Sequence, residues 1–387
     1  MTVNVSKPVV NVREKLAELD KPTGIAGEAM LRAETPQEQQ ALLGFGRRNV
    51  LINGDMRVAQ RGTSSSGLGV GATVYLLDRF SMETSGTAGR FTASQASDGP
   101  AGFGKSLKID CTTADTSVAA GELFLLQQRI EGYNVQSFGK GTPDCTGFTV
   151  SFYCKGNASA TYTLELYDSD NNRSISREFS VSSAWERVVI NFPPDTTGTF
   201  NCDNGVSLYC QIWLHAGSTW NGGTLNEKWS GVPPHNTRAS SNQSSIFDST
   251  DRTFYITGWQ LEASKLVTPF EHRSYGEELA LCQRYYYKHA ENTSNYVGVG
   301  WVYSSTSVYL NVDFPVTMRT TPTASYSNTT GAYTFYVNGS GNSVSTFSNG
   351  NGTNTSMTLI NTAVSGFTAG TAGGWYAPSG LIAFDAE

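Results

Sequence analysis

The chain has 387 residues, only 16% of them charged, and a net charge of −6. That balance gives no general attraction to nucleic acid or to anionic lipid, and no apolar run reaches the 18 residues expected of a membrane-spanning helix. With 40 Gly, 18 Tyr and 19 Phe, the composition points to many short strands joined by turns.

The opening MTVNVSKPVV has no basic segment followed by an apolar core, so no secretory signal is expected. Residues 1–48 are rich in charge, with 7 Lys and Arg against 6 Asp and Glu. Val12, Leu16 and Leu19 follow helical spacing up to Pro22. A second helix is predicted over 35–44: Thr35 caps it, Pro36 suits its first position, Glu38 completes a capping box and Gly44 ends it. Two turns are marginal alone in water, so Leu42 and Leu43 need cover, from other copies of the chain or from the next domain.

Residues 49–273 hold alternating runs. Phe148, Val150, Phe152 and Cys154 point one way, and Thr149, Ser151 and Tyr153 the other. Tyr162, Leu164 and Leu166 oppose Thr163, Glu165 and Tyr167; Leu107, Ile109 and Cys111 group together, as do Leu208, Cys210, Ile212 and Leu214. Period-two alternation with one apolar face marks half-buried antiparallel strands. The predicted fold is mainly β, an antiparallel sandwich or jelly roll. The six cysteines form no C-x-x-C pair, and buried free thiols are expected. That pattern fits assembly in a reducing cytoplasm.

A connecting helix is predicted over 274–289, capped by Ser274 with Glu277 three residues on. Leu279, Cys282 and Tyr286 line one side of it, and either a neighbouring domain or sister chains would cover that side. Residues 290–387 contain five charged residues and no lysine. They read as a small β domain with long polar loops, such as 338–356.

Catalytic patterns are sparse. Asp168, Asp170 and Asn172 begin like a calcium loop, but Arg173 stands where Gly is needed and Phe179 where Glu is needed, so a polar hairpin turn is expected. The glycines of 67–75 lead into no helix, and no G-x-S-x-G elbow or carboxylate pair is evident. A serine–histidine triad is not decided by sequence, because triads are built by geometry. His215, His235, His272 and His289 lack metal-ligand spacing, and only His289 falls in a predicted helix. What remains is surface recognition by uncharged polar loops and aromatic rings, with Trp301, Tyr326, Tyr333, Tyr336, Trp375 and Tyr376 as candidate contacts for sugar. The chain is not expected to be an enzyme.

NVLINGDMRVAQRGTS (49–64), TVYLLDRF (73–80), SLKIDCTTADTSVAAGE (106–122), LQQRIEG (126–132) and 254–288 resemble a recurrent segment of tailed-bacteriophage tail fibre proteins. EAMLRAETPQEQQALLG (28–44) resembles the short helical element that often precedes the outer domains of such fibres. The resemblance implies a jelly roll similar to carbohydrate-binding modules over 49–273 and a C-terminal tip that meets host-surface glycan. It implies a homotrimer, with Leu42, Leu43, Leu279, Cys282 and Tyr286 as candidate interface residues. It also implies an N-terminus docked on tail, baseplate or adaptor proteins of the virion. Modules of this kind often hold a structural calcium ion, for which Asp55 is the candidate here; no other cofactor and no catalytic residue carry over. Other readings of the same features are a virion fibre or decoration protein without a receptor role, and a polysaccharide-degrading tailspike.

Overall fold

The computed structural model describes residues 47–387 except 232–234 and 292–293, together with Met30, Arg32 and Gln39. Leu42, Leu43 and, apart from Gln39, the predicted helix over 35–44 lie outside the described residues, as does the one through Val12, Leu16 and Leu19.

The alternating runs become strands β1 (Ser64–Leu68), β2 (Thr73–Tyr75), β3 (Ser81–Ser85), β4 (Arg90–Ala96), β5 (Ser106–Thr113), β6 (Leu123–Glu131), β7 (Phe148–Gly156), β8 (Ala160–Asp168), β9 (Arg173–Val181), β10 (Glu186–Phe192), β11 (Val206–Ala216), β12 (Ser230–Gly231) and β13 (Thr253–Glu262). They form two antiparallel sheets, ordered β1-β4-β5-β13-β7-β10 and β12-β9-β8-β11-β6-β3-β2. Aromatic pairs join the sheets: Phe91 on β4 stacks on Phe124 of β6 at 4.5 Å, and Tyr162 on β8 meets Phe254 of β13 at 5.6 Å. The predicted β-sandwich is the fold observed, and Phe148, Val150, Phe152 and Cys154 all lie inside it.

Two features break the simple alternation. Gly258 sits at φ 63° in a register shift between Thr257 and Gln260, so Ile256 and Trp259 both reach the core despite their odd spacing. Glu165 projects from the outer side of its sheet yet is fully buried, because the excursion between β11 and β13 covers it. There it accepts from Gln211, Trp213 and Arg238.

The tip comprises β14 (Tyr286–Glu291), β15 (Asn295–Ser304), β16 (Ser307–Asp313), β17 (Thr323–Tyr326), β18 (Tyr333–Val337), β19 (Ser340–Val344), β20 (Ser348–Gly352), β21 (Ser356–Asn361), β22 (Ala372–Ala377) and β23 (Leu381–Asp385). One sheet runs β14-β23-β17 and the other β19-β18-β22-β15-β16-β21-β20. The polar stretch 338–356 is therefore not only loop; it supplies β19 and β20, the two edges of the larger sheet.

The connecting helix is shorter than predicted. It spans Tyr275–Gln283, with the Glu277 N–H donating to the Ser274 hydroxyl at its start. Tyr286 and Tyr287 instead pair with Asp385 and Phe384, so these two tyrosines and His289 belong to a strand, while Tyr285 sits in the turn before it. Consecutive aromatics are mediocre helix formers, and the open ladder of β23 wins them. The apolar side of the helix is covered by the chain itself: Cys282 and Tyr285 pack on Ile52 and Val58, with Leu279 and Leu281 against them. Cys282 has no exposed surface, and Tyr286 lies under the Arg61 guanidinium at 3.8 Å. Of the residues expected at a trimer interface, Cys282 and Tyr286 are thus buried within the chain itself, and Leu279 is half-buried against the same cluster. Cys111, Cys145, Cys154 and Cys210 are buried too, Cys202 is exposed, and all six are free thiols.

Residues 49–61 lie buried or half-buried between sandwich, helix and tip with no strand of their own. Their main-chain groups are paired by distant side chains. Gln128 donates to the Ile52 carbonyl and accepts from its N–H, both at 2.8 Å. The Asn49 carboxamide oxygen accepts from Leu51 and Leu261, and Glu278 accepts from the Asn53 N–H. Replacing Gln128 by Leu strands two buried backbone groups, each worth about 1–3 kcal/mol. Urea denaturation of the Gln128→Leu variant should show a loss in that range or above; a loss below about 0.5 kcal/mol, the size of an ordinary surface substitution, would refute the role given to this pairing.

Candidate functional site

Along β15, residues alternate between the tip core and the open face of the larger sheet. Val302 and Gly300 point inward, whereas Val299, Trp301 and Tyr303 point outward. Tyr296 reaches the same open face after a register shift between Tyr296 and Gly298. Tyr303 is 64% exposed, Tyr296 62% and Trp301 40%, a high value for large apolar side chains on a sheet.

These rings gather in two groups. Tyr303 stacks on Tyr309 of β16 with centroids 4.9 Å apart and planes within 10°, and Trp301 meets the same Tyr309 edge-on at 5.4 Å. Tyr296 meets Tyr376 of β22 at 5.6 Å and Tyr336 of β18 at 6.2 Å. Glycines provide the floor. A Cβ on Gly374 would lie 2.8 Å from the Tyr296 ring, and one on Gly341 would lie 2.6 Å from the Tyr336 ring. Any side chain at either position would push the ring off the sheet. Beside the Tyr309 group, exposed Asn311 donates to Asp313 and accepts from Thr358, adding fixed hydrogen-bonding groups.

Of the six aromatic residues singled out from sequence, Trp301, Tyr336 and Tyr376 come together on this face. Tyr333 and Trp375 do not: both are fully buried, and they are corrected to core residues. Trp375 lies beneath β15, donating to the Tyr309 carbonyl at 3.2 Å in space that Gly300 leaves open. The Tyr333 hydroxyl donates to the Leu381 carbonyl. Tyr326 is half-buried against the tip core. Tyr296, Tyr303 and Tyr309 were missed; the alternation V-G-W-V-Y from 299 to 303, with Tyr309 across the hairpin, was the sequence pattern that held two of them.

Asp55, the residue the resemblance offers as a calcium ligand, is buried, with one carboxylate oxygen in an ion pair with Arg57 and the other without a hydrogen-bond partner among the described residues. Among the described residues, no group of three or more His, Cys, Asp or Glu is placed to hold a metal, whereas calcium needs 6–8 oxygens. Asp168, the last residue of β8, is buried 2.5 Å from the Lys140 ammonium, which also approaches Asp195 at 3.1 Å. Among the described residues, no helix is long and apolar enough to cross a membrane.

No family model matches the chain, and no curated protein matches it in sequence. Among solved structures, it is similar to the family 61 carbohydrate-binding module TmCBM61 in complex with β-1,4-galactotriose, at 12% identity over 56% of this chain and 98% of that one, with a TM-score of 0.28. It is also similar to the enzymatically active domain of tailspike protein 4 of bacteriophage CBA120, at 11% identity over 55% of this chain and 21% of that one, with a TM-score of 0.28. The family 11 carbohydrate-binding module of Lic26A-Cel5E from Clostridium thermocellum matches at 12% identity over 54% of this chain and 98% of that one, with a TM-score of 0.26.

The exposed and buried aromatics should separate cleanly in stability. Tyr296→Ala and Tyr303→Ala should change unfolding free energy by about 0.5 kcal/mol or less, while Trp375→Ala should cost about 3–5 kcal/mol. Equal losses in chemical denaturation would show that the open face is part of the tip's core.

Proposed function

We propose that the open face of the tip binds glycan on a host-cell surface, and that the chain acts as a trimeric tail fibre holding this face away from a bacteriophage tail. The observation that carries the binding reading is the set of six aromatic side chains on one open sheet face, two of them laid over glycine. The apolar C–H face of a sugar ring packs against the negative face of an aromatic ring. Tyr296 and Trp301 lie five residues apart on β15, or roughly 16 Å at strand spacing. That length suits an oligosaccharide rather than a single sugar. Asn311 and Thr358 flank the rings with the polar groups that would orient hydroxyls. The face works by contact, so the glycan backbone stays intact.

The fibre part of the reading is supported by the sequence resemblance of 28–44, 49–64, 73–80, 106–122, 126–132 and 254–288. In it, the N-terminal segment with Leu42 and Leu43 trimerises and docks on a tail or baseplate protein, and the six free thiols suit assembly in the host cytoplasm. Three tethered faces convert weak single-site contact into firm attachment.

An aromatic contact of this kind contributes about 0.5–1.5 kcal/mol, or up to about tenfold in affinity. Titration of host-surface polysaccharide into the full chain should show a loss of that order for Tyr296→Ala and for Trp301→Ala, and a larger one when both are changed. An unchanged affinity in the double variant would refute the binding face. Native mass measurement should return three chains per particle, and a single chain at micromolar concentration would refute the trimer.

A further inference from the structure

At one end of the sandwich, the segment returning to β13 crosses the ends of β8 and β11. Ser244 N–H donates to the Thr161 carbonyl at 2.8 Å, the Thr161 N–H donates to the Ser244 hydroxyl at 3.0 Å, and Ile246 N–H donates to the Leu214 carbonyl at 2.9 Å. This anchoring sets the Ser245 hydroxyl 2.7 Å from Nδ1 of His215. The Nε2 of His215 lies 3.1 Å from a carboxylate oxygen of Glu122, immediately before β6. His215 and Glu122 are buried, and the Phe247 ring closes on the imidazole edge-on at 5.3 Å. With Glu122 accepting from Nε2–H, the Nδ1 lone pair faces the serine. The Phe247 N–H donates to the Ser245 oxygen at 2.9 Å and fixes its position.

Ser245 and His215 border a cavity of about 280 Å³, and Gln243 lines it as well. Neither the buried side-chain nitrogen nor the buried side-chain oxygen of Gln243 has a hydrogen-bond partner among the described residues. A buried amide without a partner is costly, and one beside a serine–histidine pair is placed to donate to developing negative charge. Ser244 is shared with a second cavity of about 420 Å³, a groove bordered by Ser159, Thr161, Ser180 and Ser182. Hydroxyls in such number suit a polyhydroxylated chain.

We propose that Ser245, His215 and Glu122 form a hydrolytic site for small O-acyl esters carried on a polysaccharide. The Ser245 oxygen attacks the acyl carbon while Nδ1 of His215 takes its proton, and Gln243 donates to the oxyanion. The ester C–O bond breaks, and the Nδ1 proton passes to the departing sugar hydroxyl. Water then adds to the acyl carbon and gives a proton to Nδ1, and serine leaves and regains that proton. The net change is ester plus water to alcohol plus carboxylic acid. The ring is reversed relative to the familiar serine triads, where Nε2 faces the serine; either nitrogen is a base once the other carries the proton. Burial pushes the His215 imidazole below its ordinary value, which keeps it neutral and available at neutral pH.

The site is independent of the aromatic face, and the test uses the full chain. Hydrolysis of p-nitrophenyl acetate should fall to background in Ser245→Ala, and about 10²–10³-fold in Gln243→Ala, the effect of removing one oxyanion donor. A fluorophosphonate should label Ser245, as located by peptide mass spectrometry, with no need for any variant to fold. Equal rates in wild type and Ser245→Ala, or an unlabelled Ser245, would overturn the proposal and leave a hydrogen-bonded staple between loop and strand. Acetate release from an O-acetylated polysaccharide should also depend on Ser245; hydrolysis of the chromogenic ester alone would overturn the polysaccharide assignment.

Discussion

A buried stretch of irregular backbone must find a partner for every N–H and C=O, and residues 49–61 meet much of that demand with side chains, alongside main-chain bonds such as Val50 N–H to the Leu261 carbonyl and Trp259 N–H to the Gly54 carbonyl. Gln128, Gln95, Asp78, Arg273 and Glu278 each reach into the segment, and Asn49 pairs with Leu51 from within it. Asn53 takes a left-handed conformation at φ 61° and ties its own carboxamide to Val58 and Asp78. Gly54 is required, since a Cβ there would sit 2.1 Å from the Trp259 carbonyl oxygen. The partners come from both sheets of the sandwich and from the connecting helix, so the segment orders all of them together. The motif NGDM is thus a structural clasp, and its single acid is neutralised by Arg57.

The clasp also sets how the tip is held. Arg61, at its end, and Arg79, after β2, reach Asp385 and Glu387 respectively, while Arg79 lies over the Tyr285 ring at 3.4 Å. Arg284 forks onto Glu131 of β6, and Arg319 donates to the carbonyls of Ala386 and Asn204. Glu387 is buried, and desolvation raises its pKa against the pull of Arg79 and Arg61. Removing one partner from such a buried pair leaves an uncompensated charge. The junction is therefore a packed ionic interface rather than a linker, and the aromatic face is presented at a defined angle to the sandwich.

Sequence showed the sandwich because alternation is a local property: each run such as FTVSFYC carries its own inward and outward faces. It did not show what lies outside a sheet. Glu165 alternates as a solvent-facing residue, and only the distant Arg238 segment encloses it. The same limit explains the aromatics. Tyr333 and Trp375 differ from Tyr296 and Tyr303 in the face they occupy, and the register shift at Tyr296 hides that difference from a simple count. The helix was legible at its start, where Ser274 caps it, and not at its end, where β23, about a hundred residues on, captures Tyr286. The polar edges β19 and β20 have poor strand propensity and exist through pairing with β18 and β21.

Those edges bear on the open aromatic face. A sheet face that carries six rings, three of them exposed and three half-buried, is a hazard for self-association, most of all if its edges can accept another strand. Here the flanks read SGNSV and SNGNG, glycine and short polar side chains throughout except for the buried Val344. Such sequences recruit a further strand poorly, so they quiet the sheet without covering its face. Covering the rings would have been the simpler route to solubility. The arrangement leaves the rings open, and that openness is the physical basis of the proposed glycan contact.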